Sequence, residues 1–235
     1  MNVVERYKQV VEKAKIAAKN GGFEPPKVVA VSKFQSIDVM CELANELANQ
    51  GEKVIFGESY VQEYQKKRPQ LPPHTVHMIG RLQRNKAREA VQLFDVIESM
   101  HSLSLAEALN KEAEKLGKIQ EVFLQVNISN DVGKAGFLAD ELLDALPKLL
   151  SYSALKITGV MTITKDYENR EDVVNDFQDL YALAGVLQRE FFQQQKPFQI
   201  SMGMSADYDL AAGVGATVVR VGSAIFGERD YNKSR

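Results

Sequence analysis

A lysine at the end of the first apolar run could act as a nucleophile. Lys33 follows the stretch VVAVS at residues 28–32. An ordinary lysine has a pKa near ~10.4, so only about one amine in 2,500 is neutral near pH ~7. Attack on an aldehyde requires the neutral amine, which partial burial or a neighbouring cation favours. Lys33 is therefore a candidate nucleophile toward aldehydes, and a strand-end lysine that only reaches solvent is the alternative.

Small and hydroxyl-bearing residues follow two apolar runs late in the chain. Residues 201–205 read SMGMS, and residues 220–223 read RVGS. Glycines let a backbone approach a phosphate closely, while exposed N–H groups and serine hydroxyls donate hydrogen bonds to it. If the two segments lie side by side, they predict a phosphate-binding site. The alternative is that the glycines only serve turns.

Arg220 is a charged residue inside an otherwise apolar run. It lies two residues before Gly222, so both residues occupy one face of a strand. A guanidinium that is removed from water needs an acceptor or an anion beside it. Arg220 is therefore either part of a site for an anionic ligand or one half of a structural ion pair.

The histidines and the cysteine show no pattern of a metal site. His77 lies in TVHMIGRLQRNK, and the chain has three histidines without HExxH spacing. Cys41 is the single cysteine, which excludes an internal disulfide and a zinc site built on paired cysteines. We expect His77 to be a hydrogen-bonded histidine of the core or rim, with a ligand or acid–base role as the alternative.

Eight short apolar runs would position these residues. Most are continuous in Val, Ile and Phe, which is typical of strands buried on both faces of a parallel sheet. The runs span residues 27–33, 53–59, 75–80, 95–100, 122–128, 157–163, 198–204 and 217–227. Helical patterns alternate with them and no linker interrupts the chain. The sequence therefore predicts an α/β protein with a single domain over residues 1–235, a TIM-type (β/α)8 barrel whose functional residues lie at the carboxyl ends of the strands.

Several of the helical segments carry start signals. Ser36 is a candidate N-cap, and Ser104 with Glu107 has the spacing of a capping box. Residues 2–20 predict an extra amphipathic N-terminal helix before the barrel. An open doubly wound sheet is the alternative fold, but its first turn is often glycine-rich, and the segment SKFQS after the first run has no glycine.

The charge balance argues against a dedicated nucleic-acid binder. The 235 residues include 29 Lys+Arg and 31 Asp+Glu, a net charge of −2, whereas proteins that bind nucleic acid electrostatically are strongly basic. We therefore expect the basic run over residues 81–88 to be the solvated start of a helix, with RNA contact as the alternative. The charged N-terminus and the lack of an apolar run of ~18 residues predict a cytoplasmic protein with no membrane partner.

Seven fragments together are similar to one protein family. They are VAVSK (29–33), FGESYVQE (56–63), HMIGRLQRNK (77–86), QVNIS (125–129), GVMTI (159–163), SMGMS (201–205) and VRVGSAIFG (219–227). With these fragments in this order, the chain resembles the pyridoxal-phosphate-binding homeostasis proteins, which are single-domain relatives of the barrel domain of alanine racemase. The resemblance extends over nearly the whole chain and implies the same barrel fold.

The resemblance also implies roles for individual residues. Lys33 matches the lysine that forms the internal aldimine with pyridoxal 5′-phosphate (PLP). Phosphate contacts are implied for Ser201, Gly222 and Ser223, and Arg220 matches the arginine that faces the pyridine nitrogen. The remaining residues expected around the cofactor are Met202, Gly203, Met204, Ser59 and His77. Ser59 departs from the family, which usually has asparagine there, so an amide contact at this position is not implied. Lys134 matches a common family lysine in a mobile-looking loop.

The implied function is that of a non-catalytic carrier. Such a protein would hold PLP on Lys33 and buffer it or deliver it to PLP-dependent apo-enzymes, acting as a monomer without nucleic acid. An arginine at the pyridine nitrogen disfavours protonation of the ring and so weakens carbanion chemistry. The alternative is an amino-acid racemase, but alanine racemases take the second acid–base residue, a tyrosine, from a β-rich domain, and this sequence ends soon after the eighth run.

Overall fold

Eight parallel strands close into a barrel in chain order. The computed structural model describes residues 1–194 and 197–227. The strands are β1 Lys27–Val31, β2 Ile55–Glu58, β3 Thr75–Met78, β4 Val96–Met100, β5 Gln120–Gln125, β6 Leu155–Met161, β7 Gln199–Ser201 and β8 Val218–Val221. The ring closes because β1 pairs in parallel with both β2 and β8. The predicted (β/α)8 barrel is confirmed.

Helices alternate with the strands on the outside of the ring. In the described ranges they are α1 Val3–Gly21, α2 Ile37–Asn49, α3 Val61–Lys67, α4 Ala87–Leu93, α5 Leu103–Lys115, α6 Ala139–Leu150, α7 Arg170–Glu190, α8 Tyr208–Gly213 and α9 Ser223–Phe226. A 3₁₀ turn at Arg84–Lys86 leads into α4, which confirms that the basic run begins a helix. None of these helices is long and apolar enough to span a bilayer.

The extra helix α1 is present and is joined to α8 and α9, the last two helices of the described residues. Its start is fixed by a capping box in which Asn2 accepts from the amide of Glu5 and the Glu5 carboxylate accepts in return. Arg6 Nε donates to the carbonyl of Ile225 in α9 at 2.5 Å. Gly21 packs so closely on α8 that a Cβ there would lie 2.1 Å from a backbone oxygen. Helix α1 therefore belongs to the layer of helices outside the barrel, where it packs beside α8 and α9.

The alternation of side chains along each strand separates two cores. Outward-facing residues such as Phe56 and Ile97 pack beneath the helices. Inward-facing residues form a smaller apolar cluster inside the ring, consisting of Val29, Val96, Phe123, Met161 and Val218. Glu98 shares the face of Val96, and Arg220 shares the face of Val218. Both charged side chains are therefore held inside the barrel.

Some predicted boundaries differ from the observed ones. The seventh and eighth runs are shorter as strands than predicted, because Gly203 has a φ of +86° and helix α9 begins at Ser223. Ser36 is the N-cap of α2, as predicted. The capping box at Ser104 is wrong: Ser102 caps α5 by accepting from the amide of Leu105. Helix α5 starts two residues earlier than predicted, because Ser102 can make the same capping hydrogen bond as Ser104.

Candidate functional site

A cavity of about 840 Å³ opens at the carboxyl-terminal ends of the strands. Lys33 lies two residues beyond β1, Ser59 lies one residue beyond β2, and Gly222 directly follows β8. These positions lie at the end of the barrel where (β/α)8 proteins carry their functional residues. The cavity is large enough for a small organic ligand, since ligand sites commonly measure about 300–1,000 Å³.

Six of the residues predicted for the site line this cavity, and four do not. The six are Lys33, Ser59, Met204, Arg220, Gly222 and Ser223. Ser201, Met202 and Gly203 are buried and are not in the cavity wall. His77 instead lines a separate cavity at the amino-terminal end of the strands, together with Lys27 and Thr75.

Arg220 is the innermost charged group of the cavity wall. Its Nη1 donates to Ser201 Oγ at 2.7 Å, and its Nη2 donates to the carbonyl of Thr162 at 2.6 Å. Ser201 Oγ donates in turn to Glu98 Oε2 at 2.5 Å. The other oxygen of Glu98 bonds His77 Nδ1 at 2.6 Å. A continuous buried chain of polar groups therefore links His77 to the cavity through Glu98, Ser201 and Arg220.

The charges in this chain compensate each other. Burial raises the pKa of Glu98, but the hydrogen bond and charge of His77, together with Arg220, outweigh burial and hold this pKa below its ordinary value. Burial lowers the pKa of Arg220, and the Glu98 carboxylate acts against this shift. An arginine remains protonated at physiological pH. The sequence offered two roles for Arg220, in a site for an anionic ligand or in a structural ion pair. The structure combines them, because Arg220 lines the cavity and Glu98 provides a compensating negative charge.

Ser205 belongs to the segment SMGMS, but the family resemblance implies the phosphate contact there for Ser201. The amide of Gly222 donates to Ser205 Oγ at 3.0 Å, and both residues line the cavity with Ser223. Gly203 lets the loop that carries Ser205 pack closely on α8, because a Cβ there would lie 2.5 Å from Ala211 Cβ. Ser201, predicted for the same role, is occupied between Arg220 and Glu98. The pattern SMGMS offers two serines, and only the loop geometry distinguishes them.

Lys134 places a second amine in the cavity wall. Its Nζ donates to the carbonyl of Thr164. The loop that carries it is tied down by side chains, since Gln125 Nε2 donates to the carbonyl of Ala135 at 2.8 Å and Asn127 Nδ2 donates to that of Asp131 at 2.9 Å. The predicted mobile-looking loop is therefore anchored to β5.

A buried ion pair lies behind the segment that carries Lys33. Glu58 Oε1 accepts from Lys67 Nζ at 3.1 Å and from Ser32 Oγ at 2.8 Å. Its Oε2 is buried and has no hydrogen-bond partner among the described residues. Burial, which outweighs the charge of Lys67, raises the pKa of Glu58 from 4.5 to about 7.

Glu58 should make stability fall as the pH rises. A carboxyl group whose pKa is higher in the folded state stabilises the fold below its unfolded pKa of 4.5 and loses this contribution through about pH 7. Between about pH 5 and pH 8, the free energy of unfolding should therefore decrease by up to about 3 kcal/mol relative to Glu58→Gln. Denaturant unfolding across this range measures the difference, with the exposed Glu12→Gln as the control. Parallel profiles for wild type and Glu58→Gln would contradict the raised pKa.

Sequence comparison identifies relatives over almost the whole chain. The family described as "Alanine racemase, N-terminal domain" matches residues 9–230. The "Pyridoxal phosphate homeostasis protein" of Aquifex aeolicus is 36% identical, over 98% of this chain and 100% of that protein. The protein of the same name from Bos taurus is 34% identical, over 88% of this chain and 79% of that protein. These relatives are named as homeostasis proteins and not as enzymes.

Comparison with solved structures gives the same result. PipY of Synechococcus elongatus PCC7942, solved with PLP bound, has a TM-score of 0.80 and 33% identity, over 96% of this chain and all of that chain. An alanine racemase of Clostridium difficile 630 has a TM-score of 0.68 at 15% identity, and the match covers 94% of this chain but 58% of the racemase. The second similarity shows the fold alone.

Proposed function

Because the chain belongs to the family of pyridoxal phosphate homeostasis proteins, we propose that it holds PLP in the cavity of Lys33 and Arg220 as a carrier, which buffers the cofactor or delivers it to apo-enzymes. The observation that carries the proposal is the composition of that cavity. One wall provides an amine, another a buried guanidinium, and a third a serine–glycine–serine group. These three match the aldehyde, the ring nitrogen and the phosphate of a single small molecule.

Lys33 is the residue proposed to bind the cofactor covalently. Its side chain is half-buried in the cavity wall at the end of β1. The neutral amine adds to the aldehyde carbon, and loss of one water leaves a C=N bond, a Schiff base. PLP supplies the reactive aldehyde, and the protein keeps it from other amines while it is bound.

Ser205, Gly222 and Ser223 are proposed to bind the phosphate. The Ser205 and Ser223 hydroxyls can donate to phosphate oxygens, and the first amides of α9 have no partner within the helix. Arg220 ties the two loops together, because its amide donates to the carbonyl of Gly203 at 3.0 Å. We therefore place Ser205, rather than Ser201, at the phosphate, while Ser201 orients Arg220.

Arg220 favours a carrier over the alternative racemase. A fixed cation next to the ring nitrogen disfavours protonation of the ring, which lowers its capacity to stabilise a carbanion. Racemisation also requires an acid–base group on each face of the substrate. Within residues 1–194 and 197–227, the cavity wall contains no tyrosine, histidine or carboxylate, and its second amine, Lys134, donates to a carbonyl. We propose that the carrier acts in the cytoplasm as a monomer.

A carrier should transfer PLP to an apo-enzyme without converting an amino acid itself. The protein incubated with PLP should turn yellow and, after removal of free PLP, should activate the apo-form of a PLP-dependent enzyme. Adding a phosphatase that destroys free PLP distinguishes direct delivery from buffering. Activation of the apo-enzyme that survives the phosphatase indicates direct delivery, and activation that is lost indicates buffering. A colourless protein would overturn PLP binding, and sustained conversion of an L-amino acid to its D-form would establish the racemase instead.

A further inference from the structure

The residues on both sides of Lys33 are bonded to one ionic cluster, formed by the buried Glu58 and Lys67 and the partly exposed Glu63. On the amino side, Ser32 Oγ donates to Glu58 Oε1 at 2.8 Å, and the Ser32 carbonyl accepts from Lys67 Nζ at 2.9 Å. On the carboxyl side, the amide of Phe34 donates to Glu63 Oε1 at 2.6 Å. The cluster therefore fixes the backbone before and after the reactive lysine.

Lys67 connects the parts of the cluster. Its Nζ contacts three acceptors: the Ser32 carbonyl at 2.9 Å, Glu58 Oε1 at 3.1 Å and Glu63 Oε1 at 2.5 Å. An ammonium has three hydrogens, so these bonds use all of its donors. Its side chain is only 9% exposed. Because Glu58 ends β2 and Lys67 ends α3, the cluster joins two elements to the end of β1.

Phe34 shows that this segment is held in an unfavourable conformation. Its φ is +63°, which lies in the left-handed region. For a residue with a Cβ, this conformation costs about 1–2 kcal/mol and persists where the surroundings enforce it. The hydrogen bond from its amide to Glu63 contributes to that constraint, together with the contact of the Phe34 ring with the Tyr60 ring at a centroid distance of 5.3 Å. The chain turns sharply directly after Lys33, and Lys33 faces the cavity.

The cluster is costly to bury, so stability alone does not account for it. Buried ion pairs are often no more stabilising than apolar residues of similar size, because desolvation opposes the attraction. Both Glu58 Oε2 and Glu63 Oε2 are buried without a hydrogen-bond partner among the described residues. Buried ionic groups can instead specify one conformation, and here that conformation belongs to the segment carrying Lys33.

We infer that Glu58, Glu63 and Lys67 are positioning residues, which hold Lys33 so that its amine meets the aldehyde of the cofactor. This inference rests on the proposed function, because it requires that Lys33 binds PLP covalently. None of the three residues lines the cavity. Their effect should therefore appear in the covalent step and not in the binding of the ring and phosphate.

Replacing Glu63 by alanine tests the inference. The variant removes the acceptor of the Phe34 amide, and we expect it to form the covalent PLP adduct about 10- to 100-fold more slowly, since a displacement of about 1 Å has effects of this size. Its affinity for pyridoxine 5′-phosphate, which has the same ring and phosphate but no aldehyde, should stay within about twofold of wild type. Stopped-flow absorbance measures the rate of adduct formation, and calorimetry measures the affinity for pyridoxine 5′-phosphate.

Three further variants distinguish a positioning role of Glu63 from a general loss of folded structure. Glu63→Gln keeps an acceptor and should retain most of the wild-type rate. Adding Phe34→Gly to Glu63→Ala should restore part of the rate, because glycine adopts positive φ without strain. Glu112→Ala is the matched control, since Glu112 makes an ion pair of the same 2.5 Å length on α5.

The possible results either support or overturn the inference. A wild-type rate in folded Glu63→Ala would overturn it, and so would an equal loss of pyridoxine 5′-phosphate binding, which would show a merely structural role. If the wild-type protein binds pyridoxine 5′-phosphate but forms no adduct with PLP, the proposed function of Lys33 fails, and this result is distinct from failure of the cluster alone.

Discussion

Lys33→Ala is expected to abolish the covalent attachment of PLP completely. The variant lacks the amine that lines the cavity at the end of β1, and a Schiff base cannot form without it. The phosphate and ring contacts remain, so weaker reversible binding should persist. After incubation with PLP, borohydride reduction and proteolysis, mass spectrometry should find the reduced cofactor on the wild-type peptide that contains Lys33. The variant should show no modified peptide at all.

Two other residues of the cavity wall provide the controls. Lys134→Ala removes the second amine and should leave the modification of Lys33 intact. Ser205→Ala keeps both amines and removes one proposed phosphate donor, so it should keep the adduct and weaken affinity by roughly tenfold, as expected for one hydrogen bond to a charged group. Stoichiometric modification of Lys134 in the wild-type protein would contradict the assignment of Lys33.

Glu98→Gln is expected to destabilise the fold by about 3–5 kcal/mol, because it removes the main negative charge that acts on the buried Arg220. Glu98 is fully buried and Arg220 is 3% exposed, so water cannot replace the lost counter-charge. The amide of glutamine also cannot accept from Ser201 and His77 in the way two carboxylate oxygens do. Denaturant unfolding followed by circular dichroism measures the loss.

An ion pair on the surface shows whether burial causes the large loss of stability expected for Glu98→Gln. Glu121→Gln removes the partner of Lys156, which lies 2.9 Å away on the surface, and should cost less than about 1 kcal/mol. A double variant, Glu98→Gln with Arg220→Met, should recover part of the stability, because it removes both buried charges. A loss below about 1 kcal/mol in Glu98→Gln would contradict the view that Arg220 depends on this carboxylate.

The architecture could be predicted from the sequence because buried parallel strands leave a strong pattern. Eight apolar runs separated by helical segments admit few topologies, and each run overlaps one observed strand, although β5 and β6 begin two residues before their runs. The ends of the runs could not be predicted equally well. Residues 217–227 form one apolar stretch, yet β8 ends at Val221 and a helix follows, since apolar composition alone does not distinguish a strand from a buried helical turn.

The site could be predicted only in part, because its residues act through neighbours that are distant in sequence. Lys33 stood out as a charged group at the end of an apolar run, and Arg220 stood out as a charged group inside one. Glu98 carries the same signal, a charge inside the apolar run DVIESM, and it could have been proposed as the partner of Arg220. The contact between Phe34 and Glu63 has no comparable signal, since it depends on how α3 packs against the end of β1.

The attachment of α1 has a practical consequence for how the protein is produced. Arg6 holds the carbonyl of Ile225, only two residues beyond the proposed phosphate ligand Ser223. Shortening the chain at its amino end, or fusing a bulky tag there, is therefore expected to disturb the region that is proposed to bind the phosphate of PLP. Purification handles for ligand-binding assays are better removed before measurement, and deletion series that begin at residue 1 will report on PLP retention as well as on solubility.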